Sequence, residues 1–93
     1  KIHPDGAVGD QAGCLCNAQW GSGRVAGFHP EAVYLDPVQC PASQSSCPAL
    51  GGEALTSLFV TSAGIGVNEP QAGQTFFVKD VDVKGQAEHQ VLL

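Results

Sequence analysis

The chain has 93 residues, of which 43% are hydrophobic and 14% charged, and its formal net charge is −5. This length accommodates one domain with one core, and the apolar content argues against disorder. Only four Lys and Arg residues are present, so no basic surface exists to neutralise phosphates, which excludes nucleic acid and anionic membranes as expected partners. We therefore predict a single domain over residues 1–93.

The N-terminal third predicts an arm followed by a hairpin. The chain begins with Lys1 and contains no Met, which is typical of a mature form whose signal peptide has been removed. Residues 1–12 contain a proline and two glycines among small and polar residues, and predict an irregular N-terminal arm. Alternation over residues 14–20 predicts the first strand, and the turn signal at 21–24 predicts a return strand from Val25 onwards.

The middle of the chain predicts one strand, one loop and one ambiguous element. Residues 31–36 are rich in β-forming side chains between two prolines and predict a strand. Residues 37–52 contain three prolines and predict a loop. Residues 53–63 fit both a helical stripe and a buried strand; the β-forming run from Phe59 to Thr61 favours the strand, with a short helix as the alternative.

The last part of the chain predicts two more strands. Residues 75–83 give the clearest strand pattern, and residues 88–93 predict a final strand after a glycine turn. About six short strands joined by glycine-rich turns indicate an all-β fold. We predict a small antiparallel β-barrel or β-sandwich.

Four cysteines, Cys14, Cys16, Cys40 and Cys47, raise the question of metal, redox or disulfide chemistry. Their C-x-C and C-x₆-C spacings do not match the usual zinc knuckle or the C-x-x-C of thioredoxin-type proteins. The prediction is therefore two disulfides in a secreted protein. Cys14 and Cys16 would each pair with one of the other two, as 14–40 with 16–47 or as 14–47 with 16–40.

No catalytic signature is present in the sequence. The histidines His3, His29 and His89 are scattered, and no G-x-S-x-G nucleophile motif occurs. We therefore assign no catalytic, cofactor-binding or metal-binding residue, and predict a non-enzymatic protein without cofactors.

The segments "GCLCNAQW" and "QCPASQSSC", with the β-rich second half, resemble the small secreted cysteine-containing effectors and elicitors of ascomycete fungi. Within that group the chain is similar to the β-barrel effectors related to Alt a allergen proteins. The resemblance implies a secreted, extracellular protein that binds a host plant protein or surface component and modulates defence. Alternatives are an enzyme inhibitor that presents the loop at 41–47, and an antimicrobial or toxin-like protein.

Unprotected edge strands predict self-association. Strands of the second half carry few edge charges, so two copies could pair and cover an apolar patch. We expect a homodimer whose interface involves some of Phe76, Phe77, Val91 and Leu92.

Overall fold

Seven β-strands form two antiparallel sheets in a computed structural model, which describes residues 2–31 and 33–93. The first sheet has the order β1-β2-β3-β4, and the second has the order β5-β6-β7. Every strand therefore pairs with its neighbour in the chain. The strands are β1 (His3–Gly9), β2 (Leu15–Trp20), β3 (Arg24–Phe28), β4 (Tyr34–Gln39), β5 (Ser45–Gly51), β6 (Ser57–Ser62) and β7 (Thr75–Val78). The described residues include no helix long and apolar enough to cross a membrane.

The tight turn between β2 and β3 depends on glycine. Gly21 and Gly23 both have positive φ, at 94° and 63°, a region that glycine enters without steric cost. A Cβ on Gly23 would also lie 2.9 Å from the carbonyl oxygen of Ala42. The turn therefore packs closely against the segment that leads into β5.

The core lies where the faces of the two sheets meet. Cys16 and Val25 of the first sheet pack with Leu58 and Val60 of the second, all at most 7% exposed. Around them lie partly buried hydrophobic residues, namely Val8, Val38, Cys40, Leu50, Val78, Val81 and Val83. Aliphatic side chains and the two thiols of Cys16 and Cys40 make up this core between the sheets.

The sheets approach each other at one side and diverge at the other. β5 packs mainly against β1 and β2, and only weakly against β3. Residues 79–93 contain no strand, but Asp10 forms an isolated bridge with Gly85 and the amide of Val81 donates to the carbonyl of Thr56 at 2.9 Å. The C-terminal segment therefore fills part of the space between the diverging sheets.

The all-β prediction is confirmed, but the barrel or sandwich of about six strands is wrong. The predicted loop at 37–52 is largely strand, because it contains the end of β4 and all of β5. Prolines misled this prediction: Pro4, Pro37 and Pro48 lie within β1, β4 and β5. Each of these is an edge strand, where a missing amide hydrogen is tolerated because it need not face a partner strand.

Both ends of the chain also differ from expectation. The predicted irregular arm over residues 1–12 contains β1, whereas the predicted last strand at 88–93 is not a strand. The strand predicted over 75–83 ends at Val78. The strand alternative is confirmed for Ser57–Ser62. The strand predicted over 31–36 begins only at Tyr34. Residue 32 of that predicted strand and residue 1 of the predicted arm lie outside the described residues.

The four cysteines are free thiols, which corrects the prediction of two disulfides. Sheet geometry explains why Cys16 and Cys40 do not form a disulfide. Cys16 pairs with Gly27 on β3, whereas the amide of Cys40 donates to the carbonyl of Gly23. Four residues along a strand span about 13 Å, and a bridge needs Cα atoms within about 7 Å.

Candidate active-site edge

The first sheet contains a β-bulge in its first strand. Pro4 pairs with Gln19, but the next pair along the ladder joins Ala7 to Asn17, so Asp5 and Gly6 together face one residue of β2. An extra residue bends the strand and redirects its side chains, and bulges are frequent beside active sites. Asp5 is exposed at this bulge.

The side chain of Asn17 holds the bulge. Its Nδ2 atom donates to the carbonyl oxygen of Asp5 at 2.9 Å and to that of Gly6 at 3.2 Å. Successive carbonyl groups of a regular strand point in opposite directions. Because one nitrogen here contacts two successive carbonyl oxygens, the main chain is turned at this position. Asn17 itself is 8% exposed, in the middle of the sheet.

The bulge is pressed against β5 of the second sheet. A Cβ on Gly6 would lie 2.8 Å from both Cys47 Sγ and the carbonyl oxygen of Ser46, so only glycine fits there. The β5–β6 register also shifts at this level, between Ser45 and Cys47. Nearby, the hydroxyl of Ser46 lies 2.7 Å from that of Thr61.

We call the set Asp5, Gly6, Ser46, Cys47 and Thr61 the bulge edge. It brings a carboxylate, a thiol and two hydroxyls to the side where the two sheets approach each other, and Asp5, Cys47 and Thr61 are exposed there. A carboxylate at such a position can accept a proton from water or bind a hard cation.

Asp10 is the other carboxylate of this part of the chain, and its role is structural. It is 4% exposed, and its Oδ1 atom accepts from the amides of Ala12 at 2.9 Å and Cys14 at 2.8 Å. These bonds close the turn between β1 and β2. A carboxylate engaged in this way holds the loop and is not presented to a substrate.

A second concave feature is the groove between the diverging sheets, with a volume of about 580 Å³. Its walls are mostly apolar, with Cys14 and Cys16 on one side and Asp36, Asp80 and Asp82 among the lining residues. Burial, ahead of the nearby Asp10 carboxylate, raises the pKa of both thiols. Thiols with a raised pKa stay neutral at pH 7 and are poor nucleophiles. The two thiols of the groove are therefore not activated nucleophiles.

No cluster of three or more metal-ligating side chains occurs among residues 2–31 and 33–93.

The four cysteines that were expected to form two disulfides lie in different parts of the structure. Cys14 and Cys16 line the groove, Cys40 packs against the hydrophobic core, and Cys47 lies on the bulge edge.

The residues expected at a dimer interface lie in two parts of the second half. Phe76 and Phe77 belong to β7, where Phe77 is 58% exposed and its ring centroid lies 5.1 Å from that of Phe59. Val91 and Leu92 are exposed in the strand-free C-terminal segment. The homodimer stays a prediction.

Asp5 and Asn17 were not predicted from the sequence as functional residues. One signal was available: an isolated glycine within a strand suggests a bulge, and "HPDGAVG" has a glycine directly after a carboxylate. The interpretation of residues 1–12 as an arm removed that segment from consideration. The hydrogen bonds from Asn17 to the bulge depend on strand register, and a single sequence contains no signal for them.

The two sheets are successive meanders that approach each other at their first strands and diverge at their last ones. Neighbouring blades of a β-propeller have this arrangement. The comparisons agree with this class. The family model described as the SMP-30/Gluconolactonase/LRE-like region matches residues 1–64. The chain belongs to this family.

Individual relatives support the same assignment. The chain is 44% identical over 79 residues to the L-arabinolactonase of Azospirillum brasilense, covering 78% of this chain and 26% of the relative. It is 43% identical over 60 residues to the 6-deoxy-6-sulfogluconolactonase of Pseudomonas putida, covering 64% of this chain and 21% of that protein. The crystal structure of the calcium-binding protein regucalcin from Agrobacterium tumefaciens superimposes on the whole chain with a TM-score of 0.90 at 33% identity, covering 33% of that protein.

These matches overturn the resemblance to fungal effectors. The family and the named lactonases contradict the predicted effector or elicitor function and the prediction of a non-enzymatic protein. The matches cover only about a fifth to a third of the length of these relatives. Secretion stays a prediction, and the free thiols remove the disulfides on which it was based.

Proposed function

We propose that the chain forms part of a hydrolase that opens the ring ester of sugar lactones, and that the bulge edge contributes to its active site. The observation that carries the proposal is the family match over residues 1–64, because it includes the bulge and the residue that holds it. Relatives named as lactonases act on lactones of arabinose and of a sulfonated gluconic acid. A sugar lactone is therefore the substrate class that we propose.

Asp5 is the residue of the bulge edge best suited to the chemistry. Water adds to the lactone carbonyl, a base removes a proton from that water, and the ring C–O bond breaks as the ring oxygen gains a proton. The product is an open-chain hydroxy acid. An exposed carboxylate fixed on a strand can act as the base, and such general catalysis contributes roughly 10²–10⁴-fold.

A calcium ion is suggested by the name of the relative from Agrobacterium tumefaciens. Asp5 fits such an ion as one oxygen ligand, but calcium takes about 6–8 oxygens, and the described residues contain no cluster of three or more ligating side chains. This part of the chain alone therefore does not form a complete calcium site. Any such ion would need further ligands, and its chemistry when bound would be to polarise the lactone carbonyl.

Acid release from a panel of lactones tests the proposal. Five- and six-membered sugar lactones are compared with unsubstituted rings of the same size, in the complete natural polypeptide that carries these 93 residues. We expect turnover well above the buffer rate for the sugar lactones and little for the unsubstituted rings. Rates equal to buffer across the panel would contradict the proposal. In a parallel arm with a chelator, loss of turnover that added Ca²⁺ restores would support the metal.

A further inference from the structure

We propose that Asn17 is a positioning residue for the bulge edge, which fixes Asp5 by donating hydrogen bonds to the main-chain carbonyl oxygens of the two bulge residues, Asp5 and Gly6. This inference rests on the proposed function, because it assigns a role toward the carboxylate at that site. Asn17 does not contact the Asp5 carboxylate; it acts through two main-chain carbonyl groups.

The hydrogen-bond pattern requires an amide at residue 17. A bulge leaves carbonyl groups that cannot join the strand ladder, and buried carbonyl groups without a donor are costly. The amide nitrogen of Asn17 carries two hydrogens, and it meets the Asp5 and Gly6 carbonyl oxygens at 2.9 Å and 3.2 Å. A carboxylate of the same shape would present only acceptors, and an aliphatic side chain would present neither donor nor acceptor.

The scaffold around Asn17 makes its position fixed. Its backbone pairs with Ala7 on one side and with Ala26 on the other, and Ala26 is completely buried. On the opposite side of the bulge, Gly6 is in close contact with Cys47. The segment that carries Asp5 is therefore held between an amide on β2 and the surface of β5. A displacement of about 1 Å at a reacting group can cost on the order of 100-fold in rate.

Two variants and one matched control test the role in the complete natural polypeptide. Asn17→Leu removes both donors, and Asn17→Asp keeps the shape but replaces the donors by acceptors. Gln19→Leu is the control, because Gln19 lies two residues further along β2 and its side chain accepts from Arg24 instead of binding the bulge. The first readout is hydrogen exchange at the amides of Gly6 and Ala7. The second is the steady-state kinetics of lactone hydrolysis.

We expect both Asn17 variants to exchange these amides roughly tenfold faster than the wild type, since each loses two hydrogen bonds. We expect kcat to fall roughly 10–100-fold with KM within about twofold, because the main chain under Asp5 shifts while the remaining substrate contacts stay. The Gln19→Leu control should change neither readout by more than about twofold.

Three results would overturn the inference. The first is exchange at Gly6 and Ala7 that is unchanged in both Asn17 variants. The second is a loss of kcat in Gln19→Leu as large as that in Asn17→Leu, because this would indicate a general effect on the sheet. The third is faster exchange in the Asn17 variants with unchanged kcat in an active enzyme. A wild type without lactonase activity would instead refute the proposed function, while the exchange data would still decide whether Asn17 holds the bulge.

Discussion

The chemistry of individual side chains in this chain is decided by burial more than by spacing. Cys14, Cys16 and Cys47 look alike in the sequence, yet the first two are at most 8% exposed and the third lies on the surface beside Gly6. Asp5 and Asp10 differ in the same way, since one is exposed on a bulge and the other accepts two amides inside a turn. Residue type alone therefore does not identify the reactive group.

Thiol labelling tests this interpretation at the residue scale. Burial raises the pKa of Cys14, Cys16 and Cys40, so we expect a maleimide at pH 7 to modify Cys47 at least about tenfold faster than the other three. After unfolding without reductant, all four should react, as located by peptide mass mapping. Cys47→Ser should remove only the fast adduct. No reaction after unfolding would indicate disulfides and contradict the free thiols.

At the scale of elements, the sequence predicted strands wherever β-forming side chains alternate. It found most of β2, β3, β6 and β7 and the turn at 21–24. It failed for β1 and β5 because their prolines and glycines normally mark loops. Those residues are tolerated here because both strands lie at sheet edges, and edge position is a property of the assembled sheet. Four of the five bulge-edge residues lie on these two strands, namely Asp5, Gly6, Ser46 and Cys47, so the sequence did not place them in a sheet.

The contact between β1 and β5 gives a second test. Gly6→Ala would place a Cβ 2.8 Å from Cys47 Sγ and the Ser46 carbonyl oxygen, so we expect it to reduce the free energy of unfolding by about 1–3 kcal/mol. Gly9→Ala is the matched control on the same strand, because its Cβ would have no neighbour closer than 3.7 Å. Chemical denaturation of both variants measures the difference. Equal stability would argue against close packing at the bulge.

A carboxylate links the segment before β5 to the turns before β7. Glu69 accepts from the Ser43 hydroxyl and from the Ser43 amide, and these bonds lower the pKa of the Glu69 carboxyl. A lowered pKa in the folded state gives stability that is present above the unfolded value of about 4.3 and is lost as the pH falls through the folded value. We therefore expect the melting temperature of the wild type to fall more steeply below about pH 4.3 than that of Glu69→Gln.

The control for this third test is Glu53→Gln, which removes the same charge from an exposed position in the turn before β6. It should keep the wild-type slope. If the melting temperatures of wild type and Glu69→Gln fall equally steeply between about pH 5 and 3, the hydrogen bonds to Ser43 do not contribute to stability.

At the scale of the whole molecule, composition led to the wrong class of protein. Low charge and many glycines also fit two propeller blades, because such blades are short strands joined by tight turns, and the four cysteines are not a disulfide framework. The sequence could predict the all-β class from its periodicity. It could not predict a blade, because a blade is defined by the neighbours against which it packs. The chain covers only 33% of the Agrobacterium tumefaciens relative, so most of that protein has no counterpart in these 93 residues.

The most direct test of the proposed activity compares two carboxylates by the rate of sugar-lactone hydrolysis. Asp5 lies on the bulge edge, and Asp36 is an exposed carboxylate on β4 beside the groove. We predict that Asp5→Asn lowers kcat by about 100-fold or more, with little change in melting temperature, whereas Asp36→Asn stays within about twofold of the wild type. An Asp5→Asn variant that hydrolyses the lactone as fast as the wild type would contradict the assignment of the active site to the bulge edge.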